Sequence, residues 1–247
     1  MDYLKLSGVS RRKLPLLAGW AMAVAVSVLS GCAPKPAPPP PPPPVVIVIP
    51  PMPTPPMGAP DEMTIPPLAA DGARHTVNYG ISTPQAVWNL RSAYNVAALN
   101  CVEPRYAPIL SGYKRFLSVY AKPLDEANRS IDASFRSQHR GRDAIVARES
   151  YLTQVYNFFS LPPVDSGFCQ AAMELTTELE TVDVSQFEAY AYEGLAKLEA
   201  PFKAFFDAYQ QYQADLAAWQ SRYAGGPIIV RSGAGQQTMA RPEGYPQ

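Results

Sequence analysis

From residue 83 to residue 223 the apolar positions recur at steps of three and four, the spacing of helices with one buried face. Ser82-Thr83-Pro84 opens the first run, with Thr83 as the expected cap and Pro84 in the first turn. Val87, Leu90, Tyr94, Ala97 and Cys101 follow on one face. A second run begins near Pro108 and carries Ile109, Tyr113, Phe116, Leu117 and Tyr120. A third starts around Pro123 with Leu124, Ile131 and Phe135, and Ser137-Gln138-His139-Arg140-Gly141 breaks it. A fourth extends from about Arg142 to Phe159, where Leu161-Pro162-Pro163 stops it. A fifth spans Ser166 to about Glu180.

The last run has the most regular pattern. Ser185-Gln186-Phe187-Glu188 matches a capping box. Leu195, Leu198, Phe202, Phe205, Tyr209, Tyr212, Leu216, Trp219 and Tyr223 then alternate steps of three and four, a heptad seam. Pro201 lies inside it, yet the stripe keeps its phase, so a continuous kinked helix or a very tight junction is expected. Two roles are open for the seam. It can face the core of a bundle, or it can offer Phe202, Phe205, Tyr209, Tyr212 and Trp219 to a partner helix or a second copy.

No segment of the domain alternates apolar and polar residues at period two, so no sheet is expected. The fold class is all-α: a bundle of about five to six helices, the last long and kinked. The expected boundaries are 1–31 for a signal segment, 32–72 for a proline-rich linker, 73–224 for the bundle and 225–247 for a disordered tail rich in Gly, Pro and Gln.

The first residues read as an export signal. Arg11, Arg12 and Lys13 precede an apolar stretch from Leu14 to Leu29, and small residues then lead to Cys32. Leu29-Ser30-Gly31-Cys32 resembles the lipobox of bacterial lipoproteins. The resemblance implies cleavage before Cys32 and acylation of that cysteine with three chains, palmitate among them. Several chains together hold a protein at a bilayer where one does not. No Asp follows Cys32. By the sorting rule of that class, this implies the outer membrane, with the chain facing the periplasm. The helical part, with NVAALNC, YNFFSLPP and LEAPFKAFFDAY, is similar only to uncharacterised bacterial envelope proteins.

From Pro34 to Pro67 half of the residues are proline. Proline fixes φ and lacks an N–H, so the expectation is a disordered, polyproline II-like spacer. At about 3.1 Å per residue it would reach roughly 100 Å if stiff throughout. Val45-Val46-Ile47-Val48-Ile49 interrupts it and is either tolerated apolar linker or a strand that could pair with a sheet edge.

Cysteine usage fits an oxidising compartment. With Cys32 assigned, Cys101 and Cys169 remain and are expected to form a disulfide. Net charge is zero, but residues 74–160 hold 11 Lys and Arg against 6 Asp and Glu, while residues 161–223 hold 3 against 10. Either the halves complement each other or a basic face is left for anionic lipid or wall polymer. Arg136, His139, Arg140 and Arg142, with Asp143 adjacent, form the densest polar cluster. It is either an anion-binding group or a solvated loop.

No nucleophile elbow, phosphate loop or metal-ligand motif occurs. The expectation is therefore a non-catalytic protein with no metal or cofactor and no nucleic-acid partner. It would be membrane-held through Cys32, with the spacer holding the helical domain away from the membrane to bind peptidoglycan or another envelope protein. A small-molecule or lipid carrier and an enzyme acting on cell-wall glycan are the alternatives. Oligomeric state is not legible.

Overall fold

A computed structural model describes residues 35, 37–40 and 49–223, with the backbone of Ile229–Ser232 and Gly235–Thr238. The bundle is all-α. Its helices are α1 (Thr83–Asn100), α2 (Ala107–Val119), α3 (Ala121–Gln138), α4 (Arg142–Phe159), α5 (Asp165–Glu178) and α6 (Phe187–Tyr223). The expected signal segment, Cys32 and most of the leading proline run lie outside the described residues.

Helix α1 is the centre of the bundle. Ala86, Val87, Leu90, Ala93, Tyr94 and Ala97 are all at most 1% exposed, because α6, α3 and α4 pack around it. Small residues set the closest approaches. A Cβ at Gly194 on α6 would lie 3.0 Å from Leu175 Cδ1 and 3.4 Å from Leu90 Cδ1. A Cβ at Gly112 on α2 would overlap the Tyr94 hydroxyl and lie 2.5 Å from Thr176 Cγ2.

Two caps differ from expectation. Ser82, not Thr83, caps α1: the Gln85 side chain accepts from the Ser82 N–H at 3.0 Å, and Thr83 and Pro84 are already helical. Before α6, Asp183 rather than Ser185 does the capping. Its carboxylate accepts from Ser185 N at 2.8 Å and heads a single 3-10 turn, Val184–Gln186. In both places the chain turns a residue or more earlier than the sequence pattern marks.

Helix α6 carries through Pro201 as one kinked 37-residue element. Its seam faces inward. Leu195, Leu198, Phe202, Phe205 and Tyr209 are at most 3% exposed, and Tyr212 is 7% exposed. At the proline level Phe158, Phe159, Phe168 and Phe202 meet with ring centroids 4.8 to 5.7 Å apart. Such edge and offset contacts fill the interior.

The main departure concerns residues 50–72, expected to be disordered linker. They form a strap docked on the C-terminal half of α6. Trp219 Nε1 donates to Pro50 O at 2.9 Å, Gln213 Nε2 to Met63 O at 3.5 Å, and Ala59 is buried. The strap reverses at Pro56–Gly58, where Met57 and Gly58 both have positive φ. It closes with a bridge pairing Leu68 to Arg74. Proline content correctly forbids helix here. It does not forbid an extended chain whose carbonyls are bonded by side chains.

Beyond α6, Ile229–Ser232 (β1) pairs antiparallel with Gly235–Thr238 (β2), Ile229 opposite Thr238 and Ser232 opposite Gly235. Composition had predicted a disordered tail; at this point the backbone forms a two-stranded ladder instead. A lone hairpin is marginal by itself.

Candidate functional site

The predicted basic cluster does not assemble into a site. Arg136 lies in α3's last turn, His139 and Arg140 lie in the exposed turn that follows, and Arg142 opens α4. Arg136 is occupied by Asp132, one turn back, at 2.9 Å, and the His139 ring lies 6.4 Å from that of Phe135. Gly141 makes the turn with φ of 55°. All four side chains are exposed, and α3 ends in extended backbone at His139, so nothing desolvates them.

Charge along α3 is neutralised locally. Arg129 pairs with Asp125, Arg136 with Asp132 and Lys122 with Glu126, each four residues apart on an exposed face. Pairs of this kind contribute about 0.3–0.5 kcal/mol each. Between the basic and acidic halves, the close pair is Arg74 with Asp207, at 2.5 Å.

Cys101, at the end of α1, is disulfide-bonded to Cys169 on α5, with Cα atoms 5.6 Å apart and a sequence separation of 68. Both are buried. The bond ties the C-terminal end of α1 to the first half of α5.

The functional side chains that sequence patterning missed lie where the strap meets the bundle. Glu199 is 4% exposed. Its carboxylate accepts from Thr76 Oγ1 and from Asn78 Nδ2 at 3.1 Å, and pairs with Lys203 at 2.6 Å. Asn78 Oδ1 in turn accepts from Asn89 Nδ2 at 2.9 Å, and Asn89 Oδ1 accepts from Tyr151 at 2.8 Å. One polar chain thus joins α4, α1, the segment before α1 and α6. Burial pushes the Tyr151 hydroxyl up from its ordinary pKa and its bonds to Asn89 and Gln85 oppose that, so it stays a donor. The available signal was Glu199 itself: it falls four residues after Leu195 and three before Phe202, a carboxylate on the buried stripe.

Arg74 is the second missed residue. Its side chain is 4% exposed. It donates to Asp207 from Nε at 2.8 Å, to Gln210 at 2.9 Å and to Pro66 O at 2.9 Å. These bonds hold the strap's C-terminal end, while Tyr209 and Trp219 hold its middle and start.

Between Asp61–Thr64 of the strap and α6 lies an open groove of about 540 Å³, lined on the helix side by Tyr212, Gln213, Leu216, Ala217 and Gln220. Burial, then the nearby Asp61 carboxylate, raises the Tyr212 pKa, so its hydroxyl remains protonated. Trp219 is half-buried beside it. Of the residues considered as a partner seam, Phe202, Phe205, Tyr209 and Tyr212 are covered by their own chain. Among the described residues no three His, Cys, Asp or Glu side chains converge on a metal position, and no described helix is long and apolar enough to cross a membrane. No protein-family model, curated protein sequence or solved structure matches the chain.

Proposed function

We propose that this is a lipid-anchored outer-membrane protein of the periplasm, non-catalytic, that holds a helical domain on a short tether to bind an envelope component, either a protein or peptidoglycan. The observation that carries the proposal is the distance along the chain between anchor and first docking contact. Cys32 ends the lipobox, and Pro50 is already bonded to Trp219. Seventeen residues separate Cys32 from Pro50. At no more than about 3.6 Å per residue they span at most about 60 Å. The strap removes residues 50–72 from the spacer, so the tether is little more than half what its proline content suggests. The bundle would work close to the membrane rather than far beyond the wall.

The aromatic interior favours binding at the surface over carriage inside. A carrier would need a void near Pro201, where four phenylalanine rings are packed.

Metabolic labelling with a palmitate analogue, followed by membrane fractionation, tests the anchor. The native chain is expected to carry label and sediment with outer membrane. The Cys32→Ser chain is expected to lose the label and to leave the outer-membrane fraction, its uncut apolar signal holding it at the inner membrane. Label that persists in Cys32→Ser would refute the anchor. Crosslinking in intact cells, with recovery of one specific protein or of wall fragments, tests the binding role.

A further inference from the structure

The strap shows how α6 recognises an extended proline-rich chain. Trp219 Nε1 donates to Pro50 O, and the Tyr209 hydroxyl lies 2.9 Å from Pro60 O and 3.0 Å from Asp61 O. Pro55 has φ of −57° and ψ of 146°, and Ala59 has φ of −63° and ψ of 157°, both polyproline II values. Aromatic donors on a helix thus bind the carbonyls of a proline-rich chain that has few N–H groups of its own. That is the chemistry by which aromatic grooves take proline-rich ligands.

The groove beside the strap repeats these elements and has room. Tyr212, Leu216 and Ala217 supply an apolar floor, Gln213 and Gln220 supply amide donors, and Asp61 and Glu62 supply an acidic rim. From Tyr212 to Gln220 the helix rises about 12 Å, the length of about four polyproline II residues.

A matching ligand is present in the same sequence. Lys35 precedes the unbroken run Pro38–Pro44. Lys35 and Pro38, Pro39 and Pro40 are exposed. A rigid polyproline segment loses little conformational freedom on binding, and a lysine beside it complements the acidic rim. Between Pro44 and Pro50 stand Val45-Val46-Ile47-Val48-Ile49, all β-branched, with no glycine or other turn former. Such residues favour extended backbone and oppose the tight reversal needed to turn the run back onto its own helix.

We propose that the groove between Asp61–Thr64 and the C-terminal half of α6 binds a lysine-bearing polyproline II segment, and that its occupant is the Lys35–Pro44 stretch of a second copy of this chain. Each copy offers one ligand and one groove. A reciprocal exchange closes a symmetric dimer, and a one-way exchange propagates a chain of copies. The proposal needs no anchor at Cys32 and stands or falls separately from it.

Sedimentation equilibrium on the chain from residue 32 onward, with Cys32→Ser, tests it. The expected result is reversible, concentration-dependent association. It should vanish when Pro38–Pro44 are replaced by a Gly-Ser segment of equal length. A synthetic peptide of residues 33–44 should then bind that Gly-Ser variant saturably, shifting the Trp219 indole and the Gln213 and Gln220 amide signals by NMR. Lys35→Glu in the peptide should weaken binding about threefold to tenfold. Leu216→Asp in the groove should abolish it. Should Leu216→Asp fail to fold, as judged by its circular dichroism, the Gly-Ser and Lys35→Glu changes decide, since both lie outside the bundle. A wild-type chain that stays monomeric, with its own groove signals already shifted relative to the Gly-Ser variant, would overturn the second copy as occupant. Association that survives the Gly-Ser replacement, or a peptide that shifts signals elsewhere, would overturn the groove.

Discussion

Tyr209, near the middle of the C-terminal half of α6, bonds through its hydroxyl to the main-chain carbonyl of Pro60, 149 residues earlier in sequence. The ring is fully buried, so a residue of the apparent helix seam ends in a polar contact to the proline-rich strap. This tyrosine therefore serves both as core and as clamp. Tyr209→Phe keeps the ring and loses the clamp. The expected cost is about 1 kcal/mol, seen as a lower urea midpoint with unchanged slope. Protease cleavage within residues 50–72 should rise more than cleavage in the helices.

Arg74 and Asp207 form an unequal pair, with side chains 4% and 66% exposed. Asp207→Ala leaves Arg74 its bonds to Gln210 and Pro66 and to water at one edge, so the loss should be about 1 kcal/mol. Arg74→Ala removes the bonds to Asp207, Gln210 and Pro66 and the packed stem as well, for about 2–3 kcal/mol. Thermal unfolding of the two single variants should show this order. Equal losses would mean that the ion pair, not the arginine's reach into the strap, matters there.

Gly112→Ala should cost about 2–3 kcal/mol, since its Cβ has no space between Tyr94 and Thr176. Adding Thr176→Ser deletes the methyl group in the way and keeps the hydroxyl that lies 2.9 Å from Tyr94. The double variant should recover part of the loss, measured by chemical denaturation.

Opening the Cys101–Cys169 bond frees a long loop. In the chain-entropy view Cys101→Ser with Cys169→Ser costs about 4 kcal/mol. Reductant should lower the melting temperature of the native chain by the same step and leave the double variant unmoved.

Glu178 is held below its usual pKa by a bond from Lys197 at 2.6 Å and another from Tyr190 at 2.7 Å. A depressed carboxylate contributes stability that is present above its unfolded pKa, about 4.3. That contribution disappears as pH falls through the lower folded pKa. Lys197 is raised by the same contact, so its share is intact through neutral pH and is lost only at strongly alkaline pH. Stability should therefore fall as pH drops below the ordinary carboxylate range, and Glu178→Gln should flatten that fall. The group is more than a third exposed, so the difference should be modest. Melting temperatures of both proteins from pH 3 to pH 7 would show it.

Helix number and approximate positions were legible because a three-four apolar period reports which face of a helix is dry. Thus the run from Arg142 to Phe159 coincides with α4, and the phase kept across Pro201 foretold a single kinked helix. The pairing of Cys101 with Cys169 followed from counting once the lipobox resemblance had set Cys32 apart. Local pattern marks Glu199 as a carboxylate on the buried stripe but does not reveal its partners Thr76 and Asn78, nor Arg74's contact with Asp207, nor the strap, because these partners lie more than a hundred residues apart.

What the sequence by itself determined is the set of helices, their buried stripes and the absence of helix in residues 50–72, since these depend on backbone geometry and nearest-neighbour periodicity. Only the tertiary structure decided that most of the aromatic seam is core, that Arg136, His139, Arg140 and Arg142 are exposed, and that residues 50–72 are strap rather than spacer. A proline-rich chain has free carbonyls and a low cost of ordering. Whether it stays in solvent depends on whether a distant helix presents donors such as Tyr209 and Trp219 at the right height, and no short window of sequence contains both partners.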